Sequence, residues 1–198
     1  LIKYGGDERN RCIIGLFYDT GCRAGELVNL NRDSVRNNNT FVQNGVEIFF
    51  NSWENSTKKE PRIVAITESV KYVLEYIKKY DIEYLGDQNP ADAPLFISIT
   101  GKSKGERLTT QGIYKIVKNA AKRAKEAGEI REDLNVFPHL AKHTHVTRLL
   151  KNPKVSNAIL HQRVGWTVNS SMANRYTHIS NKDAQVGYYG AMGLEVSE

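Results

Sequence analysis

Strand-forming texture is confined to one early block of this chain. Thr40-Phe41-Val42 and the run from Val46 to Phe50 flank Asn44-Gly45, the dipeptide best suited to a two-residue type I′ turn. After a polar stretch from Asn51 to Glu60, Arg62-Ile63-Val64-Ala65-Ile66 reads as a third strand. Nearly everywhere else the apolar residues recur at helical spacing. There are no internal repeats or low-complexity segments, so the pattern is α+β: one compact, mostly helical unit with a small three-stranded sheet inserted early.

The helical segments carry recognisable ends. Asp7 can cap a helix with Ile13, Leu16 and Phe17 inward, closed by Thr20-Gly21. A second short helix carries Arg23, Glu26, Leu27 and Leu30 and ends in Asn31-Arg32-Asp33-Ser34. Val70, Val73, Leu74 and Ile77 form an apolar stripe between Glu68 and Tyr80. A loop with Pro90 and Pro94 leads to the short apolar run Leu95-Phe96-Ile97. Thr109 or Thr110 then caps a long helix reaching to about Ala127, with Ile113, Ile116, Val117, Ala120, Ala121 and Ala124 inward. Further helices are expected over His139 to Leu150, Ser156 to Val164, Ser171 to Thr177 and Asn181 to Tyr189.

Composition narrows the class. The 198 residues suffice for one domain with a real core. No apolar run approaches the ~18 residues of a membrane span. The chain opens at Leu1 with no basic-then-apolar leader, and is expected to be a fragment of a longer protein. Two cysteines, Cys12 and Cys22, make neither a disulfide framework nor a C-x-x-C site, and read as reduced thiols in a cytosolic protein. Lys plus Arg total 28 against 22 acids, a net charge of +6 that favours a polyanionic partner. The outward face of the long helix holds Lys115, Lys118, Lys122, Arg123 and Lys125 with almost no interleaved acids, as expected of a helix facing a DNA groove.

Five segments set polar residues in apolar frames: Thr20 to Leu27, Lys58-Lys59, His139 to Thr144, Gly165-Trp166 and Arg175 to His178. Singly, each has an ordinary reading. Arg23 and Glu26 are spaced for a local ion pair, and Lys58 and Lys59 suit a solvated hairpin tip. His139 and His143 are four apart, but no Glu lies between them as the zincin motif requires, and no third ligand is evident. Trp166 fits core packing, and Tyr176 fits an amphipathic helix end.

Taken in order, T-G-x-R-x-x-E-L, a lysine beside a β-turn, H-x-x-K-H, G-W and Y-x-H resemble the catalytic domain of the tyrosine recombinases, the phage integrase family. The resemblance runs from about Asp7 to Gly190. The segment Tyr176-Thr177-His178-Ile179-Ser180 with Tyr189-Gly190 is most similar to archaeal integrases.

The resemblance implies a mostly helical recombinase fold over residues 1–198, the C-terminal catalytic domain of a larger recombinase whose N-terminal core-binding domain is absent here. It implies that residues 181–198 either pass to a neighbouring protomer or pack on their own domain. It assigns Tyr176 as the nucleophile, forming a 3′-phosphotyrosyl bond and expelling a 5′-hydroxyl. Arg23 would grip two phosphate oxygens with its planar fork. His139 and Trp166 would donate N–H groups, and His139 would also handle the nucleophile's proton. Lys58 would protonate the leaving group, with Lys59 the close alternative, while Glu26 supports the arginine region and His143 hydrogen-bonds behind the site. Lys142 stands where the family has a second arginine. Lysine keeps the charge but loses the fork, a change expected to cost on the order of 10²–10³-fold. On the long helix, Lys115, Lys118 and Lys122 would contact phosphates, and Gln111 or Tyr114 would reach base edges.

No metal or nucleotide cofactor is implied, because the phosphotyrosyl bond conserves the energy of the broken diester. The partner is duplex DNA, with a homotetramer on paired sites and a monomer or weak oligomer when free. The location implied is cytoplasmic and nucleoid-associated, in a protein encoded by a virus, plasmid or integrated element. Two other activities fit the same residues: a type IB topoisomerase, and a weakly active or non-catalytic DNA-binding relative, the latter motivated by Lys142.

Overall fold

The computed structural model describes residues 1–38, 45–51 and 61–167. Six α-helices and one sheet are found there: α1 (Glu8–Thr20), α2 (Ala24–Val28), β1 (Val35–Asn38), β2 (Gly45–Phe50), β3 (Arg62–Ile66), α3 (Val70–Tyr80), α4 (Thr110–Glu126), α5 (Pro138–Leu150) and α6 (Asn157–Val164). The three strands pair antiparallel in the order β1-β2-β3. The expected class, α+β and mostly helical, is the one observed.

Helix α1 is the hub. Asp7 caps it by accepting from Asn10 N at 2.8 Å, and Cys12, Ile13, Leu16 and Phe17 are buried. It touches α3, α4, α5 and β3. Near its end the buried Asp19 accepts from Thr67 N at 2.8 Å, Ser69 N at 2.9 Å and Ser69 Oγ at 2.8 Å, tying α1 to the start of α3. Burial alone would raise this carboxyl's pKa, but the hydrogen bonds from Ser69 and Thr67 outweigh it and leave the value lowered. A second, smaller apolar cluster of Val146, Leu160 and Val164 joins α5 to α6, with Trp166 packed against it.

The first strand described lies ahead of the one expected. β1 begins at Val35, ahead of the expected run Thr40-Phe41-Val42, which lies outside the described residues. Its register sets Val35 opposite Ile48 and Asn38 opposite Gly45, so Gly45 belongs to β2. Strand pairing is made by backbone groups, and β1 needs only Val35 to meet the core. β3 matches its expected span, and its alternation buries Arg62, Val64 and Ile66 while Ile63 and Ala65 face out.

Two helix details also differ, and a proline sets the start of a third helix. α2 is shorter than expected, because Arg23 is its extended N-cap and Leu30 lies past its end. Leu74 is 43% exposed, and Tyr76 and Tyr80 supply the buried stripe of α3 beside Val73 and Ile77. α5 starts at Pro138, where the fixed φ of proline suits the first helical position. The expected helices Ser171 to Thr177 and Asn181 to Tyr189 lie outside the described residues.

Candidate active site

Arg23 sits where α1 ends and α2 begins. Gly21 closes α1 with φ +59° and its N–H reaches Phe17 O, which turns the chain into the extended Arg23. Glu26 fixes this corner, its Oε2 accepting from Arg23 N at 2.6 Å. The Arg23 side chain is left exposed. It lines a cleft of about 360 Å³ together with Cys22, Ala24, Gly25, Thr110, Tyr114, Pro138 and His139. Two expected site residues, Arg23 and His139, therefore share one cleft, walled by the first turns of the basic helix α4.

Helix α5 presents its polar residues on two sides. His139 and His143, one turn apart, are exposed with ring centroids 5.2 Å apart in an edge-to-face arrangement. The His139 pKa is lowered first by burial, then by His143, Lys142 and Arg23. Its imidazole is thereby held neutral near neutral pH, the form able to accept a proton. Lys142 lies on the inner side, 3% exposed. Its Nζ donates to Val164 O at 3.1 Å and stands 5.8 Å from the centre of the Trp166 ring. Burial pushes its pKa down to about 8, with Glu26 opposing and Arg23 and Arg62 adding to the effect. Lys142 is not among the residues lining the cleft.

Trp166 follows the end of α6. Ser156 caps this helix at its start through Ile159 N, and Gly165 ends it with φ +66°. Trp166 N donates to His161 O at 2.9 Å, and the rings of His161 and Trp166 meet edge-to-face at 5.7 Å. Lys58, Lys59 and Tyr176 lie outside the described residues.

Two buried residues with no assigned role in the sequence join these parts. Arg62, the first residue of β3, donates from Nη1 to Glu26 Oε1 at 2.9 Å and from Nε to Arg163 O at 3.2 Å. The available signal was strand alternation, which puts position 62 on the same inward face as Val64 and Ile66. His145 is fully buried, and its Nδ1 donates to Tyr18 O at 3.0 Å. Its place three residues after Lys142 on α5 marks it as inward-facing.

On α4, Gln111, Tyr114, Lys115, Lys118 and Lys122 are exposed as expected. The rest of the basic face is smaller than the sequence suggested. Arg123 folds back, donating to Tyr4 O at 2.8 Å and Gly5 O at 3.1 Å, and Lys125 donates to Glu132 O. Lys122 lies 3.8 Å from Glu126. Among the described residues, no group of three or more His, Cys, Asp or Glu side chains converges as a metal site. Both cysteines are buried, and burial raises both thiol pKa values, that of Cys22 to about 12. Among those residues no helix is long and apolar enough to cross a membrane.

The model of the phage integrase family matches residues 3–183. The chain is 30% identical over 185 residues to tyrosine recombinase XerD of Oceanobacillus iheyensis, covering 91% of this chain and 54% of that protein. It spans about half the length of the curated relatives it matches. Its fold is similar to the crystal structure of XerA recombinase, with a TM-score of 0.68 at 24% identity, covering 98% of this chain and 62% of that one. It is also similar to XerH site-specific recombinase bound to its palindromic difH substrate in a post-cleavage complex, with a TM-score of 0.64 at 20% identity, covering 92% and 45%.

Proposed function

The chain belongs to the phage integrase family, and we propose that it is the catalytic part of a site-specific recombinase that cuts and rejoins duplex DNA through Tyr176. The observation that carries this reading is the cleft shared by Arg23 and His139 at the start of the basic helix α4. A phosphate seated there would meet a planar cation and a neutral imidazole together.

The chemistry follows from the side chains. The Tyr176 oxygen attacks the scissile phosphorus, His139 takes the phenolic proton, and charge grows on the non-bridging oxygens. Arg23 opposes that charge with two parallel N–H donors, the largest lever available for such a step. The bond from phosphorus to the 5′-oxygen breaks, and Lys58, or Lys59 beside it, gives that oxygen its proton. Trp166 contributes its indole N–H. Lys142 adds positive charge from beneath, and its bond to Val164 O braces the turn before Trp166. Rejoining reverses each transfer, so the scheme needs neither metal nor nucleotide.

Residues 1–198 act in this reading as one catalytic domain, joined in the longer protein to a separate DNA-clamping domain. Four copies work on two paired DNA sites. The protein acts at the nucleoid, in the cytoplasm, and its gene travels on a mobile element. The archaeal likeness rests on the segment from Tyr176 to Gly190 alone.

The direct test incubates the chain with a randomised duplex library carrying nicks, then recovers and sequences DNA that stays bound in detergent. A covalent adduct that is abolished in Tyr176→Phe is expected, and the recovered sequence defines the site. Supercoil relaxation without pairing of sites would indicate a topoisomerase instead. DNA binding with no adduct would indicate a non-catalytic relative.

A further inference from the structure

We propose that Arg62 is a positioning residue for strand cleavage, locking the corner that carries Arg23 to the turn that carries Trp166. The inference rests on the recombinase reading above.

Arg62 is 6% exposed and reaches both structures from a third. Its Nη1 donates to Glu26 Oε1 at 2.9 Å, while Glu26 Oε2 holds Arg23 N at 2.6 Å. A single carboxylate therefore bridges the Arg62 guanidinium and the backbone of Arg23. On the other side, Arg62 Nε donates to Arg163 O at 3.2 Å, and Lys142 Nζ donates to the next carbonyl, Val164 O, at 3.1 Å. Two cations thus hold successive carbonyls at the C-terminus of α6, where the helix dipole favours positive charge. The next residue, Gly165, leaves the space the guanidinium fills: a Cβ there would lie 2.9 Å from Arg62 Nη1. Below, the guanidinium carbon sits 4.4 Å from the centre of the Phe50 ring.

Stability alone does not account for this arrangement. Burying an ion pair costs desolvation that the attraction only roughly repays, and apolar side chains of similar volume are often at least as stabilising. Arg62 Nη2 is in addition buried with no hydrogen-bond partner among the described residues, a cost that a residue kept for stability would avoid. What the arrangement does supply is geometry. Arg23, Trp166 and the strand that follows Lys58 and Lys59 belong to segments far apart in the sequence, and Arg62 touches or is part of the support of each. Misplacing a reacting group by about 1 Å can cost on the order of 10²-fold in rate.

The test measures single-turnover adduct formation on a nicked duplex bearing the selected sequence, over a range of DNA concentrations. Arg62→Gln should lower the maximum rate by on the order of 10²-fold, with the half-saturating DNA concentration unchanged. Arg62→Lys, which can still pair with Glu26, should recover part of that rate. Because Arg62 is one of the cations lowering the Lys142 pKa, the alkaline limb of the rate profile should also move to higher pH in Arg62→Gln. If Arg62→Gln melts below the assay temperature, Arg62→Lys carries the test with an expected loss of at least tenfold. Full-rate adduct formation by every folded Arg62 variant would overturn the role of Arg62 alone. No adduct from the unsubstituted chain would overturn the recombinase reading, and this role with it.

Discussion

A Cβ built on Gly21 would lie 2.7 Å from His145 Cδ2 and 3.0 Å from its Cγ, so the imidazole occupies the space that a side chain at position 21 would need. Gly21 also holds φ +59°, where an L side chain is strained. Gly21→Ala should therefore combine left-handed strain with overpacking and destabilise the fold by about 2–4 kcal/mol. Denaturant unfolding measures it. The same substitution in a His145→Ala background should cost less, because the overpacking disappears there while the strain remains. Equal costs in both backgrounds would show that the contact with His145 contributes nothing.

His145 should also make the fold acid-sensitive. Burial pushes its pKa down to about 4, with its bond to Tyr18 O opposing and Arg163 and Arg148 adding to the shift. The folded value is below the unfolded one, so between pH 6.5 and 4 the unfolded chain binds the extra proton. Stability from this group is full above about pH 6.5 and is lost as pH falls through 4, a total on the order of 3 kcal/mol. Asp19, whose pKa is also lowered, adds its own loss in acid, so the comparison must be between variants. Stability measured at pH 7 and pH 4.5 should fall by less in His145→Phe than in the unsubstituted chain. An identical fall in both would show that His145 titrates normally.

Residues such as His145 mark the limit of what the sequence makes legible. Helix α4 could be read outright, since a 3.6-residue apolar period and the Thr109 cap, accepting from Gly112 N at 3.1 Å, are local signals. β3 was equally plain from its alternation. β1 was not, because Val35-Arg36-Asn37-Asn38 pairs through its backbone and carries little apolar signature. Arg23 and His139 stood out within motifs, whereas the cleft they share is a tertiary fact that no local pattern announces. Arg62 and His145 were invisible as support because their partners are distant: Glu26 lies 36 positions from Arg62, and Tyr18 lies 127 from His145. Such a residue looks like a misplaced charge or a spare histidine until the chain is folded.

Lys142 predicts a pH limit for cleavage. With a pKa lowered to about 8, chiefly by burial, it is cationic below that pH and loses its charge as pH rises through it. If its charge steadies the phosphate, the single-turnover rate should decline above about pH 8. Lys142→Arg keeps its charge throughout that range, so its rate should hold to higher pH and match or exceed the unsubstituted rate at pH 9. A clear loss of activity in Lys142→Arg at every pH would instead show a site fitted to lysine, anchored through Val164 O.

The division of labour along α4 gives a last expectation. Lys115 and Lys118 are exposed, and under the proposed function they contact phosphates, whereas Arg123 directs its donors to Tyr4 O and Gly5 O. DNA affinity should reflect that split. Removing one lysine that pairs with a phosphate should reduce the slope of log affinity against log salt by roughly one. Lys118→Ala and Lys115→Ala should each weaken binding uniformly across sequences and flatten that slope. Arg123→Ala should leave the slope unchanged and lower the melting temperature, because it releases the turn at residues 2–5 from α4. Lys122 is expected between these extremes, since Glu126 at 3.8 Å partly offsets its charge. Binding of fluorescent duplexes at several salt concentrations, with thermal melts of each variant, separates these outcomes. A flattened slope in Arg123→Ala, or none in Lys118→Ala, would place the DNA on another face.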